Sequence, residues 1–235
     1  MKLLLIRHGD PDYTHDALTE KGQREAALLC QRLEKLDVKD YYVSPLGRAQ
    51  ATVRPLLEKT GRIAVTVPWL CEFPLHGYDE YTKTDHVVWD YYPRYRERYP
   101  EWNSAENWMD AHPFDQLGAR GLVEEMWNGL DSILARYGYV RDGLFYRVEH
   151  PCKDTVAFVC HFGAATILLS HLLNLSAMQL LHTTFMAPAA ITSVMTEERE
   201  QGTAQWRATV IGDISHLDAA GEPMSMSGFF RETFE

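Results

Sequence analysis

Two short apolar runs, KLLLI at residues 2–6 and TVAFVC at 155–160, constrain this chain most, because each stops at a histidine closely followed by glycine. They are too short for stable helices and too uniformly apolar for strands with one wet face, which suits central strands of a parallel sheet covered on both sides. Ile6-Arg7-His8-Gly9 and Cys160-His161-Phe162-Gly163 then set an imidazole just past a strand's carboxyl end, where open α/β sheets form their ligand sites. Either histidine alone could be a core residue with a satisfied hydrogen bond. If the two strands are neighbours, both rings reach one crevice.

The intervening chain alternates in the way an α/β fold requires. Thr19 can cap a helix carrying Ala26, Leu29, Cys30, Leu33 and Leu36 on one face. YYVS reads as a second strand, a helix follows from about Arg48 to Lys59 and stops at Gly61, and RIAVTV is a third strand ended by Pro68. Leu122, Met126, Leu130, Ile133 and Leu134 recur at helical spacing up to Tyr137 and Gly138, and Ile167, Leu168 and Leu172 mark a helix after TVAFVC. AITSVMTE and QWRATVIGD read as a hairpin through EREQG. Strands alternating with helices predict a three-layer α/β/α sandwich on a mostly parallel central sheet, in a single domain over residues 1–235. Residues 73–115, crowded with Tyr, Trp, Pro and charge and without clean periodicity, read as an inserted lid.

Composition excludes several partners. A formal net charge of -10 argues against holding nucleic acid or an anionic membrane through bulk electrostatics, so an anionic ligand must meet a local cluster of cations. The opening apolar run is cut by Arg7 before it could serve as a signal peptide, and no later run approaches the ~18 residues of a membrane span. Cys30, Cys71, Cys152 and Cys160 form no CxxC pair, which favours free thiols in the cytoplasm. His15, His76, His86, His112, His150, His171, His182 and His216 form no metal-ligand spacing, so no metal or other cofactor is expected.

Arginine supplies the missing cations. Arg7 precedes the first histidine, and Arg48 opens a helix whose N-terminus also favours an anion. Alone, Arg7 could pair with an acid and Arg48 could be a solvated helix residue. In order along the chain, RHG, LTEKGQREA, SPLGRAQAT, LCEFPLHG and VCHFG resemble the histidine phosphatase superfamily, also called the phosphoglycerate-mutase-like family, over roughly residues 3 to 165. APAAITSV resembles the strand that usually follows. Ala51 replaces a glutamine common in the second-helix motif, Phe162 replaces a glycine after the second histidine, and Gly77 lies one step further from Glu72 than the usual pattern.

The resemblance implies a role for each matching residue. Neutral His8 would attack phosphorus to give a phosphohistidine that water hydrolyses. Arg7, Arg48 and His161 would hold the nonbridging oxygens. Gly9 would let backbone amides close on the phosphate, and Phe162 completes the phosphate-binding set. Glu72 would be general acid and then base, with Asp79 and Glu80 as substitutes. Tyr13 and Thr14 follow the first motif as possible contacts. The ligand expected is a small or medium organic phosphate, and the activity a metal-independent phosphomonoesterase; a mutase-type phosphotransferase and a non-catalytic phospho-ligand pocket are the alternatives. Arg94, Arg96 and Arg98 alternate with tyrosines as an exposed, snorkelling face would, rather than as a second anion site. Trp89, Tyr91, Tyr92, Trp102 and Trp108 are the aromatic surface expected to receive a partly apolar leaving group. Oligomeric state is left open.

Overall fold

A computed structural model describes residues 1–229. From the N-terminus run β1 (Lys2–Arg7), the two-residue pair β2 (Pro11–Asp12) and β3 (Ala17–Leu18), α1 (Glu20–Leu33), β4 (Val38–Val43), α2 (Gly47–Thr60) and β5 (Ala64–Thr66). Next come the hairpin β6 (His76–Asp79) and β7 (Thr84–Val87), the single turn α3 (Tyr95–Arg98), and α4 (Ala119–Arg136). A second hairpin, β8 (Tyr139–Asp142) with β9 (Phe145–Val148), precedes β10 (Thr155–Cys160), α5 (Phe162–Leu173), α6 (Ala177–Thr183), β11 (Ile191–Glu200), β12 (Thr203–Asp213) and α7 (Ser215–Asp218).

Eight strands form one sheet in the order β5-β4-β10-β1-β11-β12-β9-β8. β5, β4, β10 and β1 pair in parallel and the remaining neighbours antiparallel, so only β11 and β9 oppose the direction of the rest. The two apolar runs are adjacent and in register from Lys2 opposite Thr155 to Arg7 opposite Cys160.

The sheet's alternation builds two cores. Leu3, Leu5, Phe158 and Cys160 pack on one side against α4 and α5, while Leu4, Ile6, Ala157 and Val159 pack on the other against Leu29 and Leu33 of α1 and Val53 and Leu56 of α2. Uniformly apolar strands therefore follow from a sheet sandwiched on both faces. Thr19 caps α1, its Oγ1 accepting from Gly22 N at 3.0 Å, and Gly61 ends α2 in the left-handed region at φ 66°.

Several expectations change in detail. The third strand is shorter than RIAVTV, three residues at the sheet edge. On α4, Val123 takes the inward position and Leu122 is only half-buried. The β11–β12 hairpin turns in two residues, Gln201-Gly202, with Gly202 at φ 81°, so EREQG is mostly strand. The β8–β9 hairpin, unassigned in the sequence, turns at Gly143-Leu144 and adds two strands to the sheet edge; its Asp142-Gly143 pair was a hairpin signal.

The segment read as a lid packs onto the core. Trp102 and Trp108 are fully buried and Tyr91 nearly so; Trp102 stacks on Tyr95 with ring centroids 5.8 Å apart and gives its indole N–H to His112 O at 2.9 Å. The Trp102 and Trp108 rings fill a core, which corrects the expectation that they face a leaving group. The arginines of RYRERY behave as expected of a snorkelling face: Arg94 lies over Tyr81 at 5.2 Å, Arg98 over Tyr99 at 5.2 Å, and Arg98 pairs with Glu80. Among the described residues, no helix is long and apolar enough to cross a membrane.

Where α1 meets the first strand's exit there is no room for side-chain atoms. A Cβ on Gly22 would come within 2.2 Å of Asp10 O. Gly22→Ala should lower the midpoint of urea unfolding even though alanine is the better helix former by up to about 1 kcal/mol; an unchanged or higher midpoint would show that the contact yields.

Candidate active site

The ladder between β1 and β10 runs one step beyond the strands, with His8 N–H donating to Cys160 O at 2.9 Å. His8 and His161 are thereby carried to the same edge, their ring centroids 5.0 Å apart. β4, the next strand over, delivers Ser44, whose N–H donates to Val159 O at 3.0 Å. The two strands are neighbours, the condition under which the strand-end histidines were expected to meet, and the rings do meet.

His8 is fully buried and its Nδ1 lies 2.7 Å from Gly9 O. A carbonyl only accepts, so Nδ1 carries the proton and Nε2 keeps its lone pair in the neutral ring. Burial pushes the His8 pKa well below the ordinary histidine value, and the nearby Arg7 and Arg48 charges push it further. His161 is likewise held neutral, first by burial and then by His8, Arg48 and Arg7. Its Nε2 is 2.8 Å from Ser44 Oγ, which already accepts from Leu46 N–H at 3.2 Å and so has its own proton to give. With Ser44 Oγ–H donating to Nε2, the His161 proton sits on Nδ1.

Both arginines are sunk beside the rings and braced from behind. Arg7 donates from Nη1 to Met186 O at 2.8 Å and from Nη2 to Ser227 O at 2.9 Å. Arg48, at the start of α2, pairs through Nη1 with Asp16 Oδ1 at 2.6 Å, and Asp16 Oδ2 also accepts from Gly47 N–H at 2.5 Å. The Tyr13 ring lies 5.4 Å from the Arg48 guanidinium carbon. Four buried nitrogens, Arg7 Nε, His8 Nε2, Arg48 Nε and His161 Nδ1, hydrogen bond to nothing among the described residues. Native proteins leave few such atoms unpaired. Three are donors and one is a lone pair, the set that a tetrahedral oxyanion and an electrophilic phosphorus would satisfy.

Glu72 stands at the N-terminus of α5, its Oε1 accepting from Phe73 N–H at 2.9 Å and Ala164 N–H at 3.0 Å. Burial raises its pKa above the usual carboxylate value, with those two hydrogen bonds and the arginines pulling the other way. A Cβ on Gly163 would fall 2.7 Å from Glu72 Oε1, so the glycine makes room for the carboxylate. The substitutes for it are committed elsewhere: Asp79 Oδ1 accepts from Tyr81 N–H, Thr82 N–H and Tyr95 OH, and Glu80 pairs with Arg98. Phe162 opens α5 immediately after His161, where a helix N-terminus favours an anion. Gly9 serves differently from expectation. Its N–H donates to Thr52 Oγ1 at 2.9 Å, and its missing side chain lets α1 approach, since a Cβ there would meet Gly22 O at 2.8 Å.

Ser44, Asp16, Thr52 and the C-terminal segment were missed as site residues. Ser44 and Thr52 lie inside SPLGRAQAT and could have been found there. Asp16 and Ser227 carried no signal, because what matters is where a loop and a distant tail come to rest. Residues 222–229 cross the site as a strap: Glu222 pairs with Lys21 at 3.1 Å and Arg24 at 2.8 Å, Ser225 Oγ donates to Asp10 Oδ1 at 2.5 Å, and Phe229 packs on Phe185 with centroids 4.9 Å apart. The other histidines stay away from the centre; His171, for example, pairs with Asp131 at 2.8 Å and stacks on Trp127.

Comparison with known proteins places this geometry. The chain is 33% identical over 82 residues to a 2,3-bisphosphoglycerate-dependent phosphoglycerate mutase of Thermoplasma acidophilum, a match spanning 31% of this chain and 41% of that protein, less than half its length. A mutant phosphoserine phosphatase of Entamoeba histolytica, solved with phosphoserine, superposes with a TM-score of 0.61 at 19% identity, over 92% of this chain and 98% of that one. A mycobacterial glucosyl-3-phosphoglycerate phosphatase gives 0.59 at 20% identity, over 90% and 98%. At such identities the two structures speak for the fold. The model of the histidine phosphatase superfamily, branch 1, matches residues 3–209, and with His8, Arg7, Arg48 and His161 gathered at the carboxyl edge of its sheet this chain belongs to that superfamily.

Proposed function

We propose that the chain is a metal-independent phosphomonoesterase that passes the phosphoryl group of a small or medium organic phosphate through His8 to water. The observation that carries this reading is the set of four unpaired buried nitrogens, one nucleophilic and three donating. His8 Nε2 attacks phosphorus as the P–O bond to the leaving alcohol breaks, while Nδ1–H, held by Gly9 O, stabilises the positive ring that forms. Arg7, Arg48 and His161 take the three nonbridging oxygens, whose charge is spread in a loose transition state. Glu72, whose pKa burial raises above the ordinary carboxylate value, gives its proton to the leaving oxygen. As a carboxylate it then takes a proton from the water that attacks the phosphohistidine, the P–N bond breaks, and neutral His8 is restored.

Hydrolysis is favoured over phosphoryl transfer between two hydroxyls because a mutase must hold a second anionic group. Of the arginines that the sequence clusters in the inserted segment, Arg94 lies over Tyr81, Arg98 pairs with Glu80, and Arg96 gives an N–H to Asn103 at 3.3 Å. The phosphoserine and glucosyl-3-phosphoglycerate phosphatases that share the fold are consistent with hydrolysis.

Incubation with p-nitrophenyl phosphate in excess chelator should release nitrophenol, and His8→Ala should abolish it; turnover that needs added metal or survives in the variant would overturn the reading. Arg48→Lys should cost roughly a thousandfold in kcat/KM through the lost fork, whereas Arg94→Lys, on the outer face, should change it less than about threefold; equal losses would mean the anion lies elsewhere. The pH profile has a definite sign. A depressed His8 pKa keeps the nucleophile neutral well below pH 6.5, and a raised Glu72 pKa keeps the acid protonated above pH 4.5, until activity falls as pH rises through it. Glu72→Gln should remove that alkaline fall and lower kcat/KM for an alkyl phosphate about a hundredfold or more, with a smaller loss on p-nitrophenyl phosphate, whose alcohol leaves unaided. Equal losses on both esters would exclude proton donation by Glu72.

A further inference from the structure

Resting on the phosphatase reading, we infer that the alcohol part of the substrate is apolar or aromatic and carries no second anionic group, because the space beside the proton donor is an aromatic cavity without a free cation. Glu72 must face the leaving oxygen. The position that a Cβ on Gly163 would take is 2.7 Å both from Glu72 Oε1 and from a ring carbon of Trp89, so the indole stands beside the carboxyl group that faces the leaving oxygen. There a cavity of about 410 Å³ opens, walled by Trp89, Tyr92, Phe162, Phe185 and Phe229. Trp89 meets Phe162 edge-to-face at 5.8 Å, and the Arg7 guanidinium lies 5.8 Å from the Phe162 ring and 5.9 Å from Phe185, which joins the cavity to the phosphoryl site.

Charge decides what fits. No lysine or arginine lines this cavity among the described residues. Besides the phenols of Tyr91 and Tyr92, its titratable members are Asp90, paired with His86 at 2.7 Å, and His182, which burial and, behind the cavity wall, the Arg96 charge hold toward the neutral form and whose Nδ1–H donates to Met178 O. Arg7, at the inner end, gives one N–H from each terminal nitrogen to Met186 O and Ser227 O and keeps Nε and the second N–H of each terminal nitrogen for the phosphoryl group. A carboxylate or second phosphate entering here would lose its water against aromatic faces and meet a carboxylate. A flat or branched hydrocarbon would gain burial and ring contacts.

The test compares kcat/KM for 1-naphthyl phosphate, methyl phosphate and 3-phosphoglycerate in the 235-residue chain and in two variants. Naphthyl phosphate should exceed 3-phosphoglycerate by on the order of a hundredfold. Phe185→Ala should shrink the naphthyl-to-methyl ratio by roughly tenfold. Tyr92 is 40% exposed, so Tyr92→Arg tolerates the new charge without risk to folding and should shift the ratio of 3-phosphoglycerate to naphthyl phosphate upward. Comparable rates on naphthyl phosphate and 3-phosphoglycerate, or ratios unmoved by both variants, would overturn the inference while leaving the phosphatase reading intact. Absence of His8-dependent phosphate release from every ester, methyl phosphate included, would instead end the phosphatase reading.

Discussion

Everything at the site depends on the parallel, in-register pairing of β1 with β10. Residues 7 and 160 are opposite each other, so the chain leaves both strands at the same height and His8 and His161 emerge side by side. A slip of one residue would turn one imidazole to the opposite face of the sheet. The strands resist such a slip because both faces are packed: Leu3 and Leu5 belong to one core, Leu4 and Ile6 to the other. A doubly buried sheet thus holds the register, and the register holds the chemistry.

The same burial separates the protonation states that the proposed reaction needs. Two guanidiniums and two imidazoles lie together, but a guanidinium keeps its proton in surroundings where an imidazole loses it. Each buried arginine therefore adds to the cost of a protonated His8, which keeps the ring neutral and nucleophilic. The carboxyl group responds in the opposite sense: burial raises the Glu72 pKa above the ordinary carboxylate value. Nucleophile and acid are set from one cause, removal from water. The carbonyls of Gly9, Met186 and Ser227 and the carboxylate of Asp16 orient the rings and forks from outside.

Around this centre the chain uses segments far apart in sequence. The stretch 73–115 is anchored by Trp102 and Trp108 in the core and lends residues 89–93 to the cavity. The strap 222–229 closes the other side, and its Ser227 carbonyl is one of the supports of Arg7. On the proposed reading, segments with little regular structure set ligand selectivity, while the sheet edge supplies the reactive groups.

Local chemistry made much of this legible before any coordinates. Uniform apolar runs identified β1 and β10, Thr19 and Gly61 marked helix ends, and Arg7, His8, Arg48, Glu72 and His161 stood out through their positions in five ordered motifs. The β8–β9 hairpin went unassigned although Asp142-Gly143 marks its turn, and Trp102 and Trp108 looked like ligand surface because aromatic residues are equally suited to cores and to pockets. What the amino-acid order alone determined is which segments become strands and helices and which residue types end them, since periodicity and capping act over a few neighbouring residues. Only the tertiary structure decided that Asp16 braces Arg48, that the Gly9 amide belongs to Thr52, and that Ser227 reaches Arg7 across 220 positions. Those contacts depend on how packed layers bring remote backbone together, and no local pattern encodes a distance between segments that meet only after folding.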